Sequence, residues 1–159
     1  MSLYADPSHY DLLAQSTAPA DLPFYRRHAR GPLLELGCGT GRLTLPLSES
    51  LAGVEGLDVA EPLLAGARKK AGAERIRWHR ADMRSFQLPS RFATVIIPYN
   101  TFNHLLGIDD VLSCLAAVAK HLERRGQPII DTFHPDPRRL LVTGGPEERI
   151  VRYRLPDRR

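Results

Sequence analysis

From residue 31 onward the chain sets short apolar runs against stretches whose apolar residues return every three or four positions. Short apolar runs bounded by Gly or Pro read as buried strands, and the longer periodicity reads as helix facing a core. On that basis "GPLLEL", "GVEGLDV", "RIRWHR", "FATVIIPY" and "QPIIDTF" are five strands, the second ending at Asp58. Helices are expected in "GRLTLPLSES", "AEPLLAGARKKAG" and "IDDVLSCLAAVAKHLERRG", and "ADMRSF" reads as a loop. Pro46 should kink or shorten the first of these helices, because proline has no amide hydrogen and crowds the preceding turn. Pro62 and Gly72 frame the second. In the third, Leu112, Leu115, Ala116, Ala119 and Leu122 form one stripe, the expected buried face. Two more helices precede the first strand: "SHYDLLAQS" from Ser8, and "DLPFYRRHAR" with Asp21 as N-cap and Pro23 in the first turn.

Strands that alternate with helices, and that are apolar throughout, imply an α/β protein whose parallel sheet is covered on both faces. Crossovers in such sheets are right-handed, and ligands bind beyond the carboxyl ends of the strands at the switch point. The chain shows no internal repeat. Pro and Gly cluster only in "HPDPRRLLVTGGPEER", which marks the end of the regular pattern. The expected organisation is a domain over residues 1–137 followed by a tail, 138–159.

Composition narrows the class. With 159 residues the chain can build one core, and 43% hydrophobic with 25% charged residues is the balance of a soluble globular protein. No apolar stretch approaches the ~20 residues that span a bilayer. The start, "MSLYADPSHY", lacks the basic and apolar blocks of a signal peptide. Two cysteines, Cys38 and Cys114, make neither a disulfide framework nor a zinc site. No metal or membrane is therefore expected, and the cytoplasm is the expected compartment. The net charge of +4 lies wholly in the tail, where seven arginines face Glu147, Glu148 and Asp157. A basic tail can meet nucleic acid, but a solvated end is the simpler reading.

The stretch "LLELGCGTGRL" joins the first strand to the first crossover helix. Glycines there allow a tight turn and close approach of a ligand to the backbone. A dinucleotide fingerprint needs G-x-G-x-x-G, yet the third glycine from Gly37 would fall at Arg42; the glycines are Gly37, Gly39 and Gly41. No G-x-x-x-x-G-K-[ST] loop is present. Glu35, just before the glycines, also puts an acid where a phosphate would be unwelcome.

This pattern resembles the glycine-rich motif of class I S-adenosylmethionine-dependent methyltransferases. The resemblance covers about residues 5–137 and implies a Rossmann-like doubly wound parallel sheet with helices on both faces. It also implies S-adenosyl-L-methionine as cofactor, with Glu35 toward the cationic ammonium end or a water bound to it. By the same resemblance Gly37, Cys38 and Gly39 approach the cofactor. Asp58, 17 residues past Gly41, takes the ribose hydroxyls with Val59 beside it, and Asp82 and the Met83 amide hold the adenine. Pro98 and Tyr99 lie at the reacting end. Tyr10 and Tyr25 precede the loop and could close over the cofactor or pack in the core.

Each residue also has a purely structural role open to it. The glycines could make only a turn, Asp58 could cap the next helix, Asp82 could cap a turn and Met83 could fill core. Asn100 and His104 are the candidate catalytic residues, although Asn100 and Asn103 could also form a turn. His134 reads as loop, and Cys38 reads as a small residue rather than a nucleophile. Methyltransferases acting on nucleic-acid bases carry Asn or Asp, Pro, Pro and an aromatic residue at the fourth strand. Here those slots are Ile96, Ile97, Pro98 and Tyr99, which argues against nucleic acid and for a small-molecule acceptor. The family's last two strands are expected to be lacking, with "ERIVRYRL" the start of a substrate lid. A second copy could then cover the exposed edge as a homodimer. Cofactor binding without turnover is the alternative activity.

Overall fold

The computed structural model describes residues 5–17 and 20–132. Five strands form one parallel sheet: β1 (Leu33–Leu36), β2 (Val54–Asp58), β3 (Arg77–Arg80), β4 (Phe92–Ile97) and β5 (Leu122–Ile130), in the order β3-β2-β1-β4-β5. The order reverses between β1 and β4, so the switch point lies at the tip of β1, where the glycines sit. The α/β sheet expected from the apolar pattern is therefore present. "ERIVRYRL", His134 and the tail lie outside the described residues.

Helices α1 (Pro7–Thr17), α2 (Leu22–His28), α3 (Thr44–Ser48), α4 (Glu61–Arg68) and α5 (Ile108–His121) surround the sheet. β1 shows how both faces are filled. Leu33 joins Tyr25, Leu43, Leu47 and Ile96 on the side of α2 and α3. Leu34 and Leu36 join Phe92, Val95 and Ile97 on the side of α5. Successive strand residues point to opposite faces, so an all-apolar strand must be covered twice. Among the described residues no helix is long and apolar enough to cross a membrane.

Three local expectations need correction and a fourth is met. Asp21 occupies the N-cap position of α2 but makes no capping bond; its carboxylate instead grips Arg42. α3 is only five residues long, the shortening expected from Pro46. α4 ends at Arg68, short of Gly72, and Gly72 itself is left-handed at the start of a separate 3-10 turn. α5 stops at His121, and Leu122 is already extended and paired with Phe92. There the sheet ladder overrides helix propensity. The pairing then jumps from Phe92–Leu122 to Thr94–Gln127, and Gly126 passes so near the Phe92 carbonyl that a side chain would collide with it.

The expected stripe of α5 is the wrong one. Leu112 and Leu115 are 58% and 36% exposed, and Ala116 and Ala119 are exposed too. The buried face is Cys114, Ala117, Val118 and His121. At the helix end His121 Nδ1 donates to the Ala117 carbonyl (2.7 Å) and Nε2 accepts from the Leu88 amide (2.9 Å). A carbonyl can only accept and an amide can only donate, so this ring is the neutral Nδ1–H tautomer.

Candidate functional site

The loop after β1 has a backbone that only glycine adopts easily: φ is +69° at Gly37 and +54° at Gly39. A side chain on Gly37 would run into Thr101, and one on Gly39 would press on the Tyr10 ring. The loop amides are spent inside the protein. Gly37 and Cys38 both donate to the Leu57 carbonyl (2.8 and 3.0 Å), Gly39 donates to Asp58 Oδ2 (2.8 Å) and Gly41 to the Cys38 carbonyl (2.9 Å). A phosphate cradle needs such amides free and pointing outward. The helix N-terminus expected just after the glycines begins only at Thr44. Spacing and hydrogen bonding thus exclude a phosphate seat for the same reason.

A cleft of about 770 Å³ opens over these strand tips. Three carboxylates border it from three neighbouring strands: Glu35 in β1, Asp58 at the end of β2, and Asp82 just after β3. Glu35 is buried on the α3 face and accepts from Thr44 Oγ1 at 2.5 Å. Loss of water pushes its carboxyl from the ordinary 4.5 to about 8, a rise that the Thr44 hydrogen bond and Arg42 only partly oppose. Burial therefore favours the protonated form of Glu35 and weakens the standing negative charge expected from the sequence.

Asp58 is 9% exposed. Its Oδ2 takes the Gly39 amide and its Oδ1 the Ala60 amide, both at 2.8 Å, so the carboxylate braces the glycine loop against the entry to α4. The capping role open to it is not used: Ala60 is the N-cap of α4, and no side chain caps that helix. Each carboxylate oxygen has two acceptor positions, and one on each remains available. Val59 lies beside it, 66% exposed at the cleft. Asp82 makes a turn of its own, accepting the Arg84 amide at 2.9 Å and the Arg84 guanidinium at 2.6–3.1 Å. Met83 also borders the cleft, while its side chain packs on the α5-side core.

At the far end β4 runs into Pro98, Tyr99 and Asn100, all at the cleft. Tyr99 and Asn100 have φ of +52° and +61°. Asparagine tolerates that region, but for tyrosine it is strained and must be imposed. Asp131, after β5, imposes it: Oδ2 accepts the Tyr99 amide and the backbone carbonyl accepts the Asn100 amide, each at 3.3 Å. The Arg42 guanidinium lies 5.3 Å from the Tyr99 ring centre and is held there by both oxygens of Asp21 (2.6 and 2.8 Å). Asn100 precedes a short 3-10 turn without capping it through its side chain. His104 ends that turn and lines the cleft.

Two expected site residues stand apart. Tyr25 is 1% exposed in the α2 core, with burial and the Asp131 and Asp21 carboxylates pushing its hydroxyl up. Tyr10 from α1 lines the cleft instead. Gly39 acts through Asp58 rather than lining the cleft. Cys38 lines it, but burial pushes the thiol well above its ordinary value, so the sulfur is no nucleophile. Among the described residues no group of three or more His, Cys, Asp or Glu is placed to hold a metal ion.

A family model described as a methyltransferase domain matches residues 33–126. The chain belongs to that family. It is 28% identical over 123 residues to dTDP-3-amino-3,4,6-trideoxy-alpha-D-glucopyranose N,N-dimethyltransferase of Streptomyces venezuelae, covering 77% of this chain and 51% of the relative. It is 32% identical over 133 residues to dTDP-3-amino-3,6-dideoxy-alpha-D-glucopyranose N,N-dimethyltransferase of Streptomyces fradiae, covering 78% and 51%. The crystal structure of Streptomyces venezuelae DesVI superposes with a TM-score of 0.70 at 26% identity, over 78% of this chain and 56% of that one. S-adenosylmethionine-bound CalS10, an amino pentose methyltransferase from Micromonospora echinaspora, gives 0.67 at 26%, over 79% and 56%. The chain thus spans about half the length of the curated relatives it matches.

Arg42 and Arg84 were not foreseen as parts of this methyltransferase domain's cleft. Arg42 appears in the sequence only as the residue that breaks a dinucleotide motif, and its partner Asp21 lies 21 positions away. Arg84 reaches Asp110, 26 positions on. No periodicity marks such pairs.

Proposed function

We propose that this methyltransferase domain binds S-adenosyl-L-methionine across the tips of β1, β2 and β3, and that it serves methyl transfer to the amine of a small molecule. One observation carries this reading: three carboxylates border one cleft whose glycine amides are already spent. That arrangement suits a ligand with a cation at one end, hydroxyls in the middle, an amine at the other end and no phosphate on the loop. In this reading Glu35 faces the ammonium, Asp58 offers its two open acceptor positions to the ribose hydroxyls, and Asp82 with the Met83 amide reads the adenine. Gly37 and Cys38 form the floor, Val59 and Pro98 flank it, and Tyr10 and Tyr99 offer rings near the sulfonium.

When bound, the sulfonium supplies an already activated methyl group. The protein's work is to hold the acceptor nitrogen in line with it and to exclude water, a positioning effect that can supply much of the rate. Asn100 and His104, at the reacting end, orient the amine. His104 is placed at the rim to take the proton that a methylated ammonium loses. The amino-sugar methyltransferases among the relatives support an amine acceptor. The test separates binding from turnover. S-adenosylhomocysteine should raise the melting temperature and titrate one site, and dTDP-amino sugars should yield methylated product. Stabilisation by NAD but not by S-adenosylhomocysteine would overturn the cofactor assignment.

A further inference from the structure

Both oxygens of Asp82 are engaged by one arginine. Its Oδ1 takes the Arg84 amide at 2.9 Å and Arg84 Nε at 3.0 Å; its Oδ2 takes Nε at 3.1 Å and Nη2 at 2.6 Å. A carboxylate offers about four lone-pair sites, and three N–H groups of Arg84, with the single Nε–H shared between both oxygens, crowd them. The same guanidinium sends Nη1 to Asp110 Oδ1 at 2.8 Å, in the first turn of α5. Arg84 therefore stands between two carboxylates, with a second anchor already in place. Both pairs are partly exposed, with side chains 35–45% accessible, so exchange between them is inexpensive.

We infer that Arg84 is a mobile counter-ion that cedes acceptor positions on Asp82 to the 6-amino group of the cofactor's purine while Asp110 keeps hold of it, and that Arg84 thereby sets how strictly the base is read. The inference rests on the reading that adenine lies at Asp82. Asp82 is held below the usual carboxylate range by Arg84, so it is an anion ready to accept. A 6-amino purine donates to Asp82 and must displace part of Arg84's grip. A 6-oxo purine offers only an acceptor there, which Asp82 repels and which Arg84 alone can satisfy. Arg84 thus weakens binding of the correct base and softens rejection of the wrong one.

Two probes, S-adenosylhomocysteine and S-inosylhomocysteine, separate this from a structural role. In calorimetric titrations of the full chain, Arg84→Ala should bind the 6-amino probe about two- to five-fold tighter and the 6-oxo probe weaker, the scale expected for an exposed ion pair. Asp110→Asn, which strips the second anchor of its charge, should bind the 6-amino probe more weakly. If Arg84→Ala moves both probes the same way or moves neither, or if Asp110→Asn leaves 6-amino binding unchanged or tighter, the handover is wrong. Asp82→Ala guards the premise. Unchanged 6-amino binding there would remove adenine from Asp82 and the handover with it. Weakened binding there, together with a failed Arg84 result, would overturn the handover alone.

Discussion

Replacing Glu35 by Gln should remove a pH dependence of folding that the wild-type chain carries. Glu35 is buried, and its carboxyl is raised from 4.5 to about 8. Between those values the unfolded chain has lost this proton and the folded chain keeps it. Stability therefore falls as pH rises through that window, and levels off above the folded value. A gap of about 3.5 pH units at ~1.36 kcal/mol each gives about 5 kcal/mol as the upper scale. Glutamine keeps the shape and an oxygen for Thr44 but never ionises. Urea unfolding of both proteins at about pH 5 and about pH 8.5, without cofactor, is the assay. Other groups titrate alike in the two chains, so they cancel in the difference. The variant should gain on the wild type by several kcal/mol at the higher pH. A difference that stays flat, or that favours the wild type as pH rises, would refute the argument. The same proton gives a binding signature under the proposed function. A cation placed beside Glu35 favours its charged form, so S-adenosylhomocysteine near pH 7 should release most of one proton. Titration in buffers of different ionisation enthalpy reads this directly.

Asp58→Ala should weaken S-adenosylhomocysteine binding by about 2 kcal/mol and also lower the melting temperature, because the Gly39 and Ala60 amides lose their acceptor. Asp58→Asn can satisfy only one of those amides, so calorimetry and thermal unfolding should both find it impaired, though less so in binding. On α5, Leu112→Ser should change stability by less than ~0.5 kcal/mol, whereas Val118→Ala should cost about 2 kcal/mol; equal costs in urea melts would contradict the assigned face. Deleting residues 138–159 should leave S-adenosylhomocysteine affinity nearly intact, since the described residues that line the cleft run no further than Leu105 and include the glycine loop, Asp58 and Asp82. Tight, sequence-selective RNA or DNA binding that vanishes with this tail would instead favour a nucleic-acid acceptor.

The sheet was readable because its central strands β1, β2 and β4 are buried on both faces, which helices on either side of a parallel sheet provide, whereas the edge strands β3 and β5 are partly exposed. α5 was misread for an equally physical reason. It carries two apolar stripes, and periodicity alone prefers the one with the larger leucines. Packing prefers the other. Cys114, Ala117 and Val118 are small, so the helix can approach the bulk of Phe86, Phe92 and Val95, which leucines would hold off. The C-terminal end of α5 was overrun because "HLERRG" has no helix breaker before Gly126, and the competing signal, a ladder to Phe92, comes from 30 residues earlier. The glycine loop and the acid at the tip of β2 were legible because each is a local demand: left-handed backbone for Gly37 and Gly39, and an acceptor one strand over for Asp58.

What the sequence did not reveal is the pairing of charge, and pairing decides what the cleft accepts. Both arginines at the cleft are bonded to carboxylates, Arg42 to Asp21 and Arg84 to Asp82 and Asp110. An anionic ligand would have to break one of these pairs and would find the amides of Gly37, Cys38, Gly39 and Gly41 already in use. A cationic ligand meets the opposite situation. Under the proposed function, burial holds Glu35 toward its protonated form, and the cofactor's ammonium would favour the anion. The protonated form avoids burying an unpaired charge, which would be expensive. The occupied cleft gains an ion pair where water is excluded, and there the attraction is strongest. Under the proposed function these two features together disfavour a cofactor that would seat a phosphate on the glycine loop, and Glu35→Gln, which keeps the spent amides but loses the latent anion, separates their contributions: it should weaken binding of the cationic cofactor while leaving NAD excluded.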